Sequence, residues 1–322
     1  MSDKRPVAVV TGFLGSGKTT LLSRLLREPS MEGTAVLVNE IGEVGLDHHL
    51  LERVDETTVL LENGCICCTR REELAGALRD LLERESRGGT PTVRRVVVET
   101  SGLADPSPIP FTILSDPVLR HHYAPGTVIA TADAINGALH LRENPESVRQ
   151  IAAADTVFIT KTDLVNDGEA EKLRQNLSNI NLGASIVYGL PREPAASLLD
   201  RGGAAPEPLA PPAQEHISDS GVNTVSLTLE EPLDWTAFGV WLSALLYARG
   251  EDILRVKGLV DTGESGPTSI NGVQHVIHPP EHLDYWPEGV RDSRLVFIAR
   301  DIEPDLLLAS LRAFQNLPQR IS

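Results

Sequence analysis

The stretch that most constrains this chain runs from Val7 to Thr20. An apolar, β-branched run feeds a glycine-rich turn, and Leu21, Leu22, Leu25 and Leu26 follow at helical spacing. Gly12 to Thr19 fits the pattern G-x-x-x-x-G-K-[S/T], set between a strand and a helix as a phosphate-cradling loop requires. Glycines at 12, 15 and 17 let backbone N–H groups turn inward onto phosphate oxygens, and the helix N-terminus adds positive potential. Lys18 is expected at the β- and γ-phosphates and the Thr19 hydroxyl on Mg²⁺, with Ser16 and Thr20 completing the nucleotide contacts. The plain alternative, a chance glycine turn, does not account for the strand before it and the helix after it. The motif predicts a bound nucleoside triphosphate.

Composition narrows the partners. A net charge of −16 over 322 residues argues against a nucleic-acid or anionic-membrane surface, because phosphate groups reward Lys and Arg. The opening Met-Ser-Asp-Lys-Arg-Pro leads straight into the first strand, leaving no room for a signal peptide. No apolar run approaches the roughly 18–20 residues of a membrane helix. A soluble cytoplasmic protein is the expectation.

Residues 7–190 alternate apolar strands with helical patterns, as a doubly wound, mostly parallel α/β sheet does. Strands are predicted at 7–11, 34–39, 58–61, 94–99, 127–132, 156–160 and 184–188, and helices at 18–28, 70–86, 146–154 and 167–178. Pro, Gly and Ala without periodicity then mark a linker, and a smaller α+β unit follows. The expected division is a nucleotide-binding domain over 1–190, a linker over 191–221 and a C-terminal domain over 222–322. In that last part strands are predicted at 223–229, 253–261, 269–278 and 293–300. One helix opens at Asp234 and another carries Leu307, Leu308, Leu311 and Phe314.

Two further motifs suit the phosphate loop. Glu99 ends the buried run Val96-Val97-Val98, where a nucleotide-hydrolysing fold needs a second Mg²⁺-directed group, reaching the ion directly or through a water. Gly102 would offer its N–H to the γ-phosphate; a strand-end acid beside a turn glycine is the bland alternative. Later, Thr160-Lys161-Thr162-Asp163 resembles the guanine-reading Asn-Lys-x-Asp sequence of GTPases. There the Asp carboxylate accepts from guanine N1–H and the 2-amino group, and the Lys stem lies along the base. Asp163 would thereby select GTP, with Thr160 in place of the usual Asn.

The three cysteines lie together as Cys65-Ile66-Cys67-Cys68. Thr69 and Glu72 have capping-box spacing, so a helix is predicted to start just after Cys68. Thiols at a helix N-terminus beside Arg70 and Arg71 favour the thiolate, the form that binds Zn²⁺ and similar ions. In an extended segment residues 65 and 67 share a side while 68 faces the other. A complete site therefore takes two of them plus an outside carboxylate, imidazole or second subunit. Buried inert cysteines and a redox pair are the competing readings. Glu40, Glu43 and Asp47, in the loop after the second strand, are candidates for Mg²⁺, water-positioning or transition-metal duties, against a solvated acidic loop. His275, His278 and His282 are close in sequence, but Pro279 and Pro280 interrupt them.

Together these motifs resemble the CobW family of metal-handling phosphate-loop GTPases. The matching pieces are Gly12 to Thr20, Asn39-Glu-Ile-Gly-Glu-Val-Gly45, Gly64-Cys-Ile-Cys-Cys68, Glu99 to Pro106 and Thr160 to Asp163. Leu254 to Leu259, Gly272 to His275 and Trp286 look like the family's C-terminal domain. The resemblance implies a GTPase that delivers a transition metal, zinc or cobalt, to a client metalloprotein or a cofactor-assembly protein, and that forms homo-oligomers. Metal would be held at Cys65, Cys67 and Cys68 with Glu43 or Glu40, and Mg²⁺ at Thr19 and Glu99. The chain lacks the long histidine-rich tract of some members. Two rival readings stand beside it: an ATP-dependent small-molecule kinase, and a nucleotide-gated metal-binding module with negligible turnover.

Overall fold

The structure, a computed structural model, describes residues 4–38, 58–60, 71–88, 92–189, 194–200, 222–287 and 291–316. Two compact units emerge, one formed by residues 1–178 with 184–204 and the other by residues 179–183 with 205–322.

The first unit is built on a seven-stranded sheet. Its strands are β1 (Arg5–Gly12), β2 (Thr34–Val38), β3 (Thr58–Leu60), β4 (Arg95–Glu99), β5 (Tyr123–Asp133), β6 (Thr156–Thr160) and β7 (Ser185–Tyr188). They lie in the order β3-β2-β4-β1-β5-β6-β7, and each pairing is parallel. Such strands are near-continuously apolar because helices cover both faces. Val7 and Val9 face one way, against Leu74, Leu78, Ile109 and Ile113. Ala8 and Val10 face the other, against Leu22, Leu25, Leu198 and Leu199. β1 lies between β4 and β5, so the carboxyl ends of these strands stand side by side, with Val10 level with Glu99, Gly12 with Thr131 and Asp133 with Thr160.

The helices are α1 (Lys18–Leu25), α2 (Arg71–Ser86), α3 (Pro108–Ser115), α4 (Leu119–His122), α5 (Gly137–Glu143), α6 (Pro145–Ala153), α7 (Asp167–Ile180) and α8 (Ala195–Asp200). Four of these, α3, α4, α5 and α8, are absent from the sequence expectation. Each has eight residues or fewer, and α3 is apolar on nearly every side, so helical periodicity has little to show. α8 falls inside the stretch read as linker. Ala195, Leu198 and Leu199 are buried on the sheet, the Glu28 carboxylate accepts the Ala195 N–H at 2.8 Å, and Thr127 Oγ1 donates to the Leu198 carbonyl at 2.9 Å. The predicted helix 18–28 ends early, and a 3-10 turn at Pro29–Met31 follows it.

The second unit has an antiparallel sheet of six strands, continuing as β8 (Val222–Leu229), β9 (Ile253–Val260), β10 (Thr268–Val273), β11 (Val276–Ile277), β12 (Glu281–His282) and β13 (Ser293–Arg300). Helices α9 (Trp235–Arg249) and α10 (Pro304–Gln315) join it in one core around Phe238, Trp241, Phe297 and Leu311. Asp234 caps α9 by accepting the Ala237 N–H at 2.7 Å. The single strand expected over 269–278 is a hairpin. It turns at Gln274, whose φ of 50° lies in the left-handed region.

Candidate functional site

The carboxyl edge of the parallel sheet gathers residues from four strands. At the end of β1, Gly12 has φ 140°, and a Cβ there would lie 2.7 Å from Ser16 Oγ, so no larger residue fits. Gly17, with φ 95°, opens α1 in the left-handed conformation. The loop between them is pinned from two sides. Buried Ser16 shares a 2.6 Å hydrogen bond between its hydroxyl and that of Thr131 on β5, and the Thr160 hydroxyl donates to the Ser16 carbonyl at 2.7 Å. Thr160 thus ties the end of β6, where the Thr160–Asp163 segment begins, to the phosphate loop. Lys18 Nζ donates to the Phe13 carbonyl at 3.2 Å, arching over the same loop. Gly15 and Thr20 are exposed.

Thr19 and Glu99 meet directly. The hydroxyl donates to Oε1 at 2.6 Å, and Glu99 is buried at the end of β4. After Glu99 the chain is held tightly. Thr100 Oγ1 donates to Thr11 Oγ1 at 2.8 Å, and Gln150, wholly buried on α6, donates through Nε2 to the carbonyls of Gly102 and Ala104, both at 3.0 Å. Gly102 packs so closely on the phosphate loop that a Cβ would lie 2.7 Å from the Leu14 nitrogen. That approach explains the glycine and brings its backbone against the loop.

After β6, Lys161 has φ 56° and its ammonium lies 3.1 Å from Asp133 Oδ2. Asp133 also accepts the N–H groups of Ile135 at 2.9 Å and Asn136 at 2.6 Å. Burial by itself would push this carboxyl up. The Asn136 N–H and the Lys161 ammonium outweigh that and hold it below the ordinary carboxylate range. Asp163 stands exposed on the 3-10 turn Thr162–Leu164 that follows.

A model of the CobW/HypB/UreG nucleotide-binding domain matches residues 6–188, and one of the cobalamin synthesis protein cobW C-terminal domain matches residues 222–315. The chain belongs to the CobW family. It is 32% identical to the zinc chaperone YjiA of Escherichia coli (strain K12) over 97% of its own length and 99% of that protein. It is 33% identical to zinc-regulated GTPase metalloprotein activator 1 of Schizosaccharomyces pombe over 58% of its length and 46% of that protein. The crystal structure of Zn(II)-bound YjiA GTPase from E. coli superposes with a TM-score of 0.72 at 28% identity, covering 97% of this chain and 99% of that one.

In this CobW family member the proposed metal residues Glu40, Glu43, Cys65, Cys67 and Cys68, together with Asp47, lie outside the described residues. The strands that lead to them are described. Val38, which ends β2, is level with both Glu99 and Leu60, so the chain leaves β2 and β3 at the edge where Glu99 lies. The helix after the cysteines is in place from Arg71, with Glu72 and Glu73 in its first turn, where acidic side chains favour a helix N-terminus. His275 lies in the β10–β11 turn with Nδ1 3.0 Å from the Leu246 carbonyl, and His282 is on an exposed edge strand. Among the described residues no group of three or more His, Cys, Asp or Glu side chains is placed to hold a metal.

Three residues that shape this edge are missing from the sequence expectation: Thr131, Asp133 and Gln150. Asp133 carries a readable signal, an acid ending a buried strand as Glu99 does. Thr131 and Gln150 carry none, since a buried Thr in a strand and a Gln on a helix are unremarkable until their partners are known.

Proposed function

We propose that this chain is a GTP-hydrolysing zinc metallochaperone. It binds GTP with Mg²⁺ at the carboxyl edge of the parallel sheet, holds a transition metal at Cys65, Cys67 and Cys68 with Glu43 or Glu40, and passes the metal to a client protein. The observation that carries the reading is the convergence of Thr19, Glu99, Thr160 and Lys161 on one sheet edge around the glycine loop. Zinc as cargo is supported by the relatives, which are named zinc chaperones and a zinc-regulated GTPase metalloprotein activator; cobalt is the alternative.

GTP sets its β- and γ-phosphates on the inward N–H groups of Gly12 to Thr19. Lys18 exchanges the neutral Phe13 carbonyl for phosphate oxygens, a charged and stronger partnership. Thr19 and Glu99 offer oxygen donors only, which fits Mg²⁺. They would hold the ion, Glu99 directly or through a water, where it would supply charge neutralisation on the phosphates. Gly102, pressed against Leu14, supplies a backbone N–H toward the γ-phosphate. Asp163 accepts from guanine N1–H and the 2-amino group, and the Lys161 stem lies along the base. None of these residues is a general base for an attacking water, so intrinsic turnover is slow and rises with metal or client. β2, which leads to Glu40 and Glu43, pairs with β4 and ends level with Glu99, and β3, which leads to the cysteines, ends at the same edge one strand farther out; this supports coupling between nucleotide state and metal affinity.

The client is a metalloprotein or a cofactor-assembly protein, and the chaperone works as a homo-oligomer. No described helix is long and apolar enough to cross a membrane. Replacing Cys67 with Ala is the test. Zn(II) affinity should fall by at least about tenfold, as even outer-sphere losses at metal sites do, and metal-dependent GTP hydrolysis should fall with it. Unchanged values for both would refute the metal assignment.

A further inference from the structure

We propose that Asp133 is a positioning residue for purine recognition: its carboxylate fixes the Lys161 side chain against which the base lies. The inference rests on the GTP reading above and adds a residue that none of the motifs contains.

Asp133 ends β5 with only 1% of its side chain exposed, whereas the Lys161 side chain is 35% exposed. That asymmetry decides which partner holds the other. A buried carboxylate fixed by the Ile135 and Asn136 N–H groups has nowhere else to go, while a half-exposed lysine on a four-carbon stem has many other positions. The backbone agrees. Lys161 has φ 56°, a left-handed conformation that is unfavourable for a residue with a Cβ and must be held from outside. Two contacts from the Asp133 turn do so, the ammonium at 3.1 Å and the Ala134 N–H on the Thr160 carbonyl at 2.9 Å. The Thr160 hydroxyl on Ser16 then joins the arrangement to the phosphate loop. Base end and phosphate end are one hydrogen-bonded frame, with Asp133 fixing the part that meets the purine face.

The experiment compares Asp133→Asn, Lys161→Ala and the double variant, titrated with fluorescently labelled GDP and with GTP and ATP. The asparagine keeps an acceptor for the two N–H groups and loses the charge that holds the ammonium. Asp133→Asn should weaken GDP and GTP binding about tenfold, the effect of one good interaction lost. The double variant should bind no more weakly than Lys161→Ala alone, because Asp133 acts through the lysine. Wild-type affinity in Asp133→Asn, or losses that multiply in the double variant, would overturn the inference. Should Asp133→Asn fail to fold, Lys161→Met serves. It keeps the stem and removes the ammonium, so it should lose affinity as Lys161→Ala does, and wild-type binding by it would equally overturn the claim. A wild-type protein that binds ATP as tightly as GTP contradicts the GTP reading itself. A GTP-selective wild type with an unimpaired Asp133→Asn contradicts this inference alone.

Discussion

The two sheets of this protein place their strand ends in opposite ways. In the parallel sheet every strand finishes at one edge, and Gly12, Glu99, Asp133 and Thr160 are the last residues of β1, β4, β5 and β6. Four chemically distinct groups are delivered to one place with no long side chain spanning a gap. The antiparallel sheet sends alternate ends to opposite edges, so His275 falls in a turn and His282 on an outer strand. Among the described residues the parallel sheet gathers Glu99, Asp133 and Thr160 at its carboxyl edge, in keeping with the way ligands of open α/β sheets bind outside the carboxyl ends of the strands.

The contrast breaks most visibly at Lys18. Replacing it with Ala should lower GTP turnover about 10²–10³-fold, the loss typical of a preorganised charge-stabilising donor, measured as phosphate release at saturating GTP. Activity within a few-fold of wild type would mean that the loop does not hold the phosphates. A second, smaller effect separates the sheets by pH. Tyr123, at the start of β5, donates its hydroxyl to the Leu78 carbonyl at 3.1 Å, and burial pushes its phenol from 10.0 up to about 12. The folded state favours the protonated form, so this stabilisation is complete below pH 10 and is lost as pH rises toward 12. Chemical denaturation of the full chain across that window should show a loss on the order of 2 kcal/mol, removed in Tyr123→Phe. The smallest effect is expected in the second unit. Replacing the exposed His282 with Asn should leave Zn(II) affinity within about twofold, since surface changes away from a site usually act weakly. A larger drop would move the metal site into the antiparallel unit.

Much of this was legible in the sequence because it is local. The seven strands of the first sheet announce themselves by β-branched runs, and Lys18, Thr19, Glu99, Thr160 and Lys161 by short motifs with known surroundings. Helices such as Pro108–Ser115 and Ala195–Asp200 are hidden because tertiary burial makes them and periodicity does not. The frame that joins the motifs is hidden for another reason. Ser16 meets Thr131 across 115 residues, Gln150 meets Gly102 across 48 and Lys161 meets Asp133 across 28. No spacing rule reaches that far.

The proposed coupling is between nucleotide state at the parallel-sheet edge and metal affinity at the cysteine segment. Its most direct test is the Zn(II) affinity of the intact protein loaded with a non-hydrolysable GTP analogue and then with GDP. The two values should differ by at least about fivefold, the lower end of ordinary allosteric coupling. Equal affinities in the two states would contradict that coupling.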